Sequence, residues 1–548
     1  MKPTKKWIAL FLALVMACSL AACTSKQETT KETETQDKTQ TEQTQTTEAE
    51  PSTDGDAAKY GGVFKIGLGT DVLHIGYPQL SLTFQASLIA DTCLEHLCRY
   101  NEDGTLQPWL CTAYEEDPDA MTLTVHLREG IKFHDGSDFN AEAVVWNWEK
   151  WTECGNMELT GVDKYEIIDE HTIVVHLKNW SNSIATACLY TAGTIISKDY
   201  AEANGTDAAD RNPVGTGPFK FASWVTDQKV VFEANKDYWI DGMPYLDGVE
   251  FHFIKDAATQ SSAFMAGEVD AIIDCSSDTS MTLKSKGFTS ETKPLVSGAA
   301  TSIFWFSCQD KGPMGNVDAR RAIASAIDMD AIWEYCSSQT GAIYDRTIQW
   351  GPNNVWSSNP ETKGYPYDPQ AAKDYLKKAG YPDGFDMVIY YMTNSSESES
   401  ICVLVQDYLA EVGIKASIEA IEQARLDDLS GVKGEAYTGM VLSAGRAEVD
   451  LSTYYNRTFL PDGVRWVNQV NHYDDIVETL QNAMSCKTFD EKKNYSQQLS
   501  KMVIDDYCQL LPMWTSSSAI FTNGNVADHG IYQINYIIWT PETAHFTK

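Results

Sequence analysis

Leu127-Arg-Glu-Gly-Ile-Lys-Phe-His-Asp-Gly136, followed by Phe139-Asn-Ala-Glu-Ala-Val-Val145, holds a strand end, a turn and a helix start within a few turns of chain. The residues leading into it, Thr122-Leu-Thr-Val-His-Leu127, alternate apolar and polar side chains, the period of a half-buried strand. His134-Asp135-Gly136 has turn chemistry. Asn140 carries an N-cap oxygen, and Val144, Val145, Trp148 and Trp151 then recur along one helical face. His134 beside Asp135 invites a metal or catalytic reading, but its place inside a turn assigns it to structure.

The same grammar continues outward. Thr172-Ile-Val-Val-His-Leu177 is a second alternating strand, and Asp318 is predicted to open a helix over Ala319–Ile327. Asp368-Pro369 gives a cap with proline at the first helical position, and Lys377-Lys378-Ala379-Gly380 supplies cations and a terminating glycine. Glu399 to Val412 reads as a helix, Gly413 as its end, and Ile414–Ile421 as the strand that follows. Strands alternating with helices predict an α/β protein whose sheets are covered by helices. No internal repeat is found.

The N-terminus has a different composition. Lys2, Lys5 and Lys6 precede the apolar run Trp7 to Ala17, which is too short to span a bilayer as a mature helix. Leu20-Ala21-Ala22-Cys23 then has the form of a bacterial lipobox. Residues 1–22 are therefore expected to be a cleaved signal and the Cys23 thiol the site of lipidation. Residues 24–58 contain no aromatic residue and no aliphatic larger than alanine. Such a segment cannot offset its chain entropy by burial, so 23–58 is expected to be a disordered tether, its ends on the order of 30–35 Å apart.

The chain is 548 residues long with formal charge −35, which disfavours nucleic acid and anionic lipid surfaces as partners. No second apolar run approaches transmembrane length. Residues 59–548 exceed one ordinary core, so two or three lobes are expected. Thirteen cysteines leave eleven after Cys18 and Cys23, with irregular spacing and no Cys-x-x-Cys. They read as small buried hydrophobes, with one or two bridges left open.

Several longer motifs carry a resemblance. Leu127–Gly136 with Phe139–Val145 resembles the signature region of the dipeptide- and oligopeptide-binding proteins of ABC importers, solute-binding family 5. Asn212-Pro-Val-Gly-Thr-Gly-Pro-Phe219, Asn235-Lys-Asp-Tyr-Trp239, Pro244-Tyr-Leu-Asp-Gly-Val-Glu250 and Ala266-Gly-Glu-Val-Asp270 follow in family order. Asp318–Asp328 and Tyr367–Leu376 continue the likeness, which spans nearly all of 60–548.

The resemblance implies a periplasmic-binding-protein-like fold, two large lobes on a hinge plus an inserted domain. It divides the chain into a first lobe of 59–96, 213–300 and 511–548, an inserted domain of 97–212 and a second lobe of 301–510. Solute binds between the lobes, and closure on it is what an importer reads. The implied partners are a small solute and permease subunits, with the membrane reached only through the lipid anchor. The protein is expected to act as a monomer, with no cofactor, metal or nucleic acid.

The loop Gly69–Pro78 resembles a ligand-contacting loop, making Asp71, His74 and Tyr77 candidate contacts. Trp305, Trp350, Trp356 and Trp514 fall in segments resembling cleft-lining parts of the family. Gly439–Asp450 corresponds to the stretch that commonly carries an aspartate for the peptide amino group. Here Ser443 and Arg446 stand in that stretch, with Glu448 and Asp450 displaced. Arginine suits a carboxylate rather than an ammonium group, and pairing with Glu448 or Asp450 is the structural alternative. Arg320 and Arg321 are expected to anchor their helix to carboxylates. The solute is expected to be an oligopeptide, with an oligosaccharide as the alternative. An exported hydrolase is disfavoured, because Gly-x-Ser-x-Gly, His-Glu-x-x-His and Gly-x-x-x-x-Gly-Lys are all missing from the sequence. A solute sensor without a permease stays open.

Overall fold

The computed structural model describes residues 59–548 apart from 81–83, 102–104, 274, 291–299, 337–342, 345–358, 394–395, 447–450, 517–519, 532–538, 540 and 548. Three principal sheets organise them. The first has six strands in the order Phe219–Val225, Lys229–Ala234, Gly248–Phe253, Val63–Leu68, Ala271–Ile272 and Phe521–Thr522. Val63–Leu68 lies parallel to both of its neighbours and is buried along most of its length, as a central parallel strand must be. Phe64, Ile66, Phe232, Phe251 and Trp539 belong to one core, and Phe264, Ile272, Leu283 and Phe521 to a second, smaller one.

The second sheet is antiparallel, in the order Cys111–Asp117, Thr122–Leu127, Thr172–Leu177 and Val162–Asp169. Both strands predicted from alternation are its central pair, with Leu123, Val125, Ile173 and Val175 fully buried. The helix Ala141–Glu153 shares their core through Val144 and Trp148. The Asn140 side chain accepts from the Ala143 N–H at 3.0 Å, as the cap reading requires.

The third sheet runs Ile343–Tyr344, Leu510–Ser516, Ala300–Phe306, Gly439–Arg446, Asp386–Met392 and Lys415–Ile421. Alternation along Ala300–Phe306 sends Phe304 and Phe306 into one core and Ile303 and Trp305 into the other. Helices Val317–Ala326, Pro369–Ala379 and Ser396–Glu411 contribute to the first core, and Leu451–Phe459, Asp474–Ser485 and Phe489–Lys501 to the second. By sheet membership the chain passes from the first sheet to the third between Ile272 and Ala300, and back between Ser516 and Phe521.

Three expectations are corrected. Leu510–Ser516 pairs with Ala300–Phe306 in the third sheet, although the sequence division placed 511–548 with the first lobe. The helix expected from Ala319 starts at Val317, because the Asn316 side chain accepts from the Asp318 N–H at 2.9 Å and so caps two residues earlier. Among the described residues Arg320 meets no carboxylate: its guanidinium, fully buried, donates to the carbonyls of Cys508, Met314 and Tyr507 at 2.6–2.8 Å. Arg321 does pair with Asp318, at 3.1 Å.

The opening motif docks on the second one. His134 donates its backbone N–H to Gly215 O and its Nε2–H to Gly217 O, both at 2.9 Å. Gly215 and Gly217 pack on the Cys93 backbone, where a Cβ would lie 2.2 Å and 2.7 Å from its atoms. Bare backbone is therefore required at both positions, which ties the inserted sheet to the first.

Candidate functional site

A cavity of about 1080 Å³ is lined by all three regions. Pro78, Asp91 and His96 contribute from the first, Tyr100, Trp151, Trp180 and Tyr190 from the inserted region, and Tyr454, Asn456, Arg457 and Asp462 from the third-sheet region. The helix Leu451–Phe459 carries all of the last group but Asp462, which follows it: Leu451, Tyr455 and Phe459 are buried at four-residue spacing, which leaves Asn456 and Arg457 off the packed stripe.

The floor is polar and aromatic. His96 Nδ1–H donates to the Tyr190 carbonyl at 2.9 Å, so its Nε2 meets Asp91 Oδ1 at 3.3 Å. Burial pushes the Asp91 carboxyl above its ordinary range, opposed by the hydrogen bond and charge of His96. His96 stacks on Tyr190 with ring centroids 4.8 Å apart, and Tyr100 touches the same ring at 4.4 Å. Glu95, one residue before His96, is a fully occupied carboxylate. Trp109, Tyr238, Trp239 and Thr216 all donate to it at 2.7–3.0 Å.

Two cavity residues carry buried polar atoms without a protein partner, Nε1–H of Trp180 and Oδ1 of Asn456. One is a donor on the inserted region and the other an acceptor on the third-sheet region. Both atoms have almost no accessible surface, so the two residues line the cavity while these polar atoms lie behind its wall. Beside the cavity Asn182 bridges the same two regions. Its backbone N–H donates to Met484 O at 3.0 Å, and its side-chain amide to Ala483 O and Cys486 O at 2.8 and 3.0 Å. These carbonyls end the helix Asp474–Ser485, so the inserted region caps a helix of its neighbour.

The residues singled out in the sequence fare differently. Asp71 accepts from Asp227 N–H at 2.6 Å and Trp224 Nε1–H at 3.3 Å, and His74 pairs with Asp210 at 2.8 Å. Tyr77 is buried, adjacent in sequence to the cavity residue Pro78. Trp305 and Trp514, expected to line the cleft, are each 1 % exposed and lie in the two cores of the third sheet. Trp305 stacks on Trp466 at 5.1 Å. A central strand covered on both faces leaves no open side for such a ring. Ser443 is buried opposite Ile303. Arg446 ends its strand opposite Ala300, and its side chain lies outside the described residues, as do Trp350, Trp356 and Cys23. Trp180 was missed, although a tryptophan in the polar run Lys178-Asn-Trp-Ser-Asn-Ser183 is a usable signal. Asn456 has no such signal, because only the folded helix shows which side it takes.

A two-lobed body with an inserted third region and a cavity at their junction defines the class of extracytoplasmic solute-binding proteins. The chain belongs to the bacterial extracellular solute-binding proteins, family 5, whose middle region matches residues 105–465. It is 28 % identical over 380 residues to the glutathione-binding protein GsiB of Pectobacterium atrosepticum, covering 67 % of this chain and 72 % of that protein. Among solved structures it is similar to the ABC transporter-associated periplasmic binding protein DppA of Helicobacter pylori in complex with peptide STSA. That match has TM-score 0.70 and 22 % identity over 90 % of this chain and 99 % of the other. The ABC transporter substrate-binding protein CtaP of Listeria monocytogenes aligns with TM-score 0.77 and 20 % identity, over 89 % of this chain and all of that one. The fold is accordingly two large lobes on a hinge with an inserted domain. The family consists of binding proteins rather than enzymes. Among the described residues no helix is long and apolar enough to cross a membrane.

Proposed function

We propose that this protein captures an oligopeptide between its lobes and delivers it to the permease of an ABC importer. The observation that carries the reading is the cavity of about 1080 Å³ lined by residues of all three regions. Its size lies at the upper end of small-molecule sites, room for several residues rather than one amino acid. Its lining mixes the rings of Trp151, Tyr190 and Tyr454 with the charged Asp91 and Arg457, which suits a peptide's side chains and polar backbone. A ligand touching both lobes supplies the differential free energy that closes the hinge. Arg446, standing where relatives of the resemblance place an acid, receives a carboxylate of the solute instead of its amino group. The lobes comprise 59–96 with 213–300 and the chain after 516, and 301–516, with 97–212 inserted. Lipid on Cys23 and the tether to residue 58 hold the monomeric body at the membrane surface.

A thermal-shift panel tests the solute class. A ligand at about 100 times its Kd stabilises by roughly 2.7 kcal/mol, so a binding di- to hexapeptide pool raises the melting temperature, and X-ray scattering shows a smaller radius of gyration. Glutathione and cello- or xylo-oligosaccharides serve as competing arms. A shift with sugars alone, built on the aromatic rings of Trp151, Trp180 and Tyr454, replaces the peptide reading. No compaction with any solute removes the closure mechanism.

A further inference from the structure

Eleven cysteines are described with free thiols, and two of them meet sulfur to sulfur. Cys98 Sγ and Cys111 Sγ lie 3.3 Å apart in the core of the inserted domain, both fully buried. Cys98 opens a short strand, Cys98–Tyr100, that pairs with Leu106–Pro108, and Cys111 opens the strand Cys111–Asp117 just beyond it. The backbone already holds the two starts together, because Leu97 O accepts from both Trp109 N–H and Cys111 N–H at 3.0 Å. We propose that Cys98 and Cys111 are a disulfide-forming pair that closes the 98–111 hairpin in the oxidised protein.

The move required is small. The sulfurs need to approach from 3.3 Å to about 2.0 Å, within reach of side-chain rotation when the backbone is already paired. Burial in an apolar cluster alone would be served equally by two valines, and it does not account for two thiols pointing at each other. The hydrogen bond from Cys98 holds the Cys111 thiol below its ordinary range while burial opposes it, and either sulfur of the contact can serve as the first nucleophile.

The oxidant is a low-molecular-weight disulfide, acting while the hairpin is formed and the core has not yet closed over it. One of the two protein thiolates attacks one sulfur, releasing one small thiolate and leaving a mixed disulfide. The other cysteine then loses its proton and displaces the second small thiolate as the Cys98–Cys111 bond forms. Two protein thiols are oxidised and one disulfide is reduced to two thiols. The setting rests on the extracellular assignment of the family, where disulfides persist.

The link would fasten the segment that carries three working side chains. Arg99 pairs with Glu542 at 2.7 Å and lies 3.4 Å over the Trp109 ring, Trp109 donates to Glu95, and Tyr100 lines the cavity. The test uses the full chain, reduced, unfolded and refolded by dilution into a cystamine–cysteamine buffer, then alkylated and digested without reduction. The expected product is about 2 Da lighter before alkylation, shows one cross-linked peptide pair joining Cys98 to Cys111, and melts a few degrees higher than the reduced form. Separate alkylation of both residues in excess cystamine overturns the proposal. So does a scatter of cross-links among the other cysteines. In Cys98→Ala, Cys111 should be recovered alkylated rather than joined elsewhere; if that variant does not fold, the wild-type map alone decides. The readout is independent of solute binding, so it stands or falls apart from the peptide reading.

Discussion

His134 shows how one residue joins two distant motifs and leaves a signature in solution. Burial pushes its imidazole down to about 4, with the hydrogen bond to Gly217 opposing, so the ring is neutral in the folded protein. The unfolded chain takes up that proton below about pH 6.5. Between those values the unfolded state binds more protons than the folded state, and stability falls as pH falls. His134→Gln keeps an N–H donor and removes the titration. Urea unfolding of both proteins at pH 7.5 and 5.5 should shift the difference in the variant's favour by roughly 1 kcal/mol at the lower pH. A difference independent of pH would mean that His134 is not held neutral by its site. The assignment of this histidine to structure was legible because Asp135-Gly136 announces a turn, but its partner, 83 residues further on, was not.

At the scale of elements, the local signals served well where both ends of a helix are written in adjacent residues. Asp368 caps Pro369–Ala379 through the N–H groups of Gln370 and Ala371, and Gly380 closes it at φ +89°. The end of Asp474–Ser485 is closed locally only by Cys486, through its N–H to Asn482 O and its thiol to Ala483 O, and Asn182 adds donors from the inserted domain. Replacing Asn182 by alanine removes the two side-chain bonds to its carbonyls and leaves the backbone bond to Met484. We expect about tenfold faster hydrogen exchange in peptides spanning 180–186, equivalent to 1–1.5 kcal/mol, with the cores of the sheets unchanged. Unchanged protection there would show that the contact does not hold the two regions together.

For the whole molecule, charge and topology dominate. A formal charge of −35 repels itself in the compact state. Raising NaCl from about 10 to 150 mM shortens the screening length from roughly 30 to 8 Å and should raise the melting temperature by a few degrees. A flat or falling response in scanning calorimetry at pH 7.5 would show that paired charges, such as Lys229–Glu250 and Arg321–Asp318, already neutralise the surface. By sheet membership the chain passes between the first and third sheets twice, once after Ile272 and once after Ser516.

Alternation, caps and glycine-bearing motifs determined by themselves that this is an α/β protein of several lobes and which family it resembles. Those properties depend on neighbours a few residues apart, whose spacing the chain states directly. The site did not follow from the same signals. Trp305 and Trp514 are apolar rings suited to a cleft or a core, and only the covering of both faces of the third sheet sends them inward. Trp180 and Asn456 stand 276 positions apart, and only the folded chain brings both into the lining of one cavity. Side-chain chemistry is local, but which groups are left unpaired depends on every element packed around them.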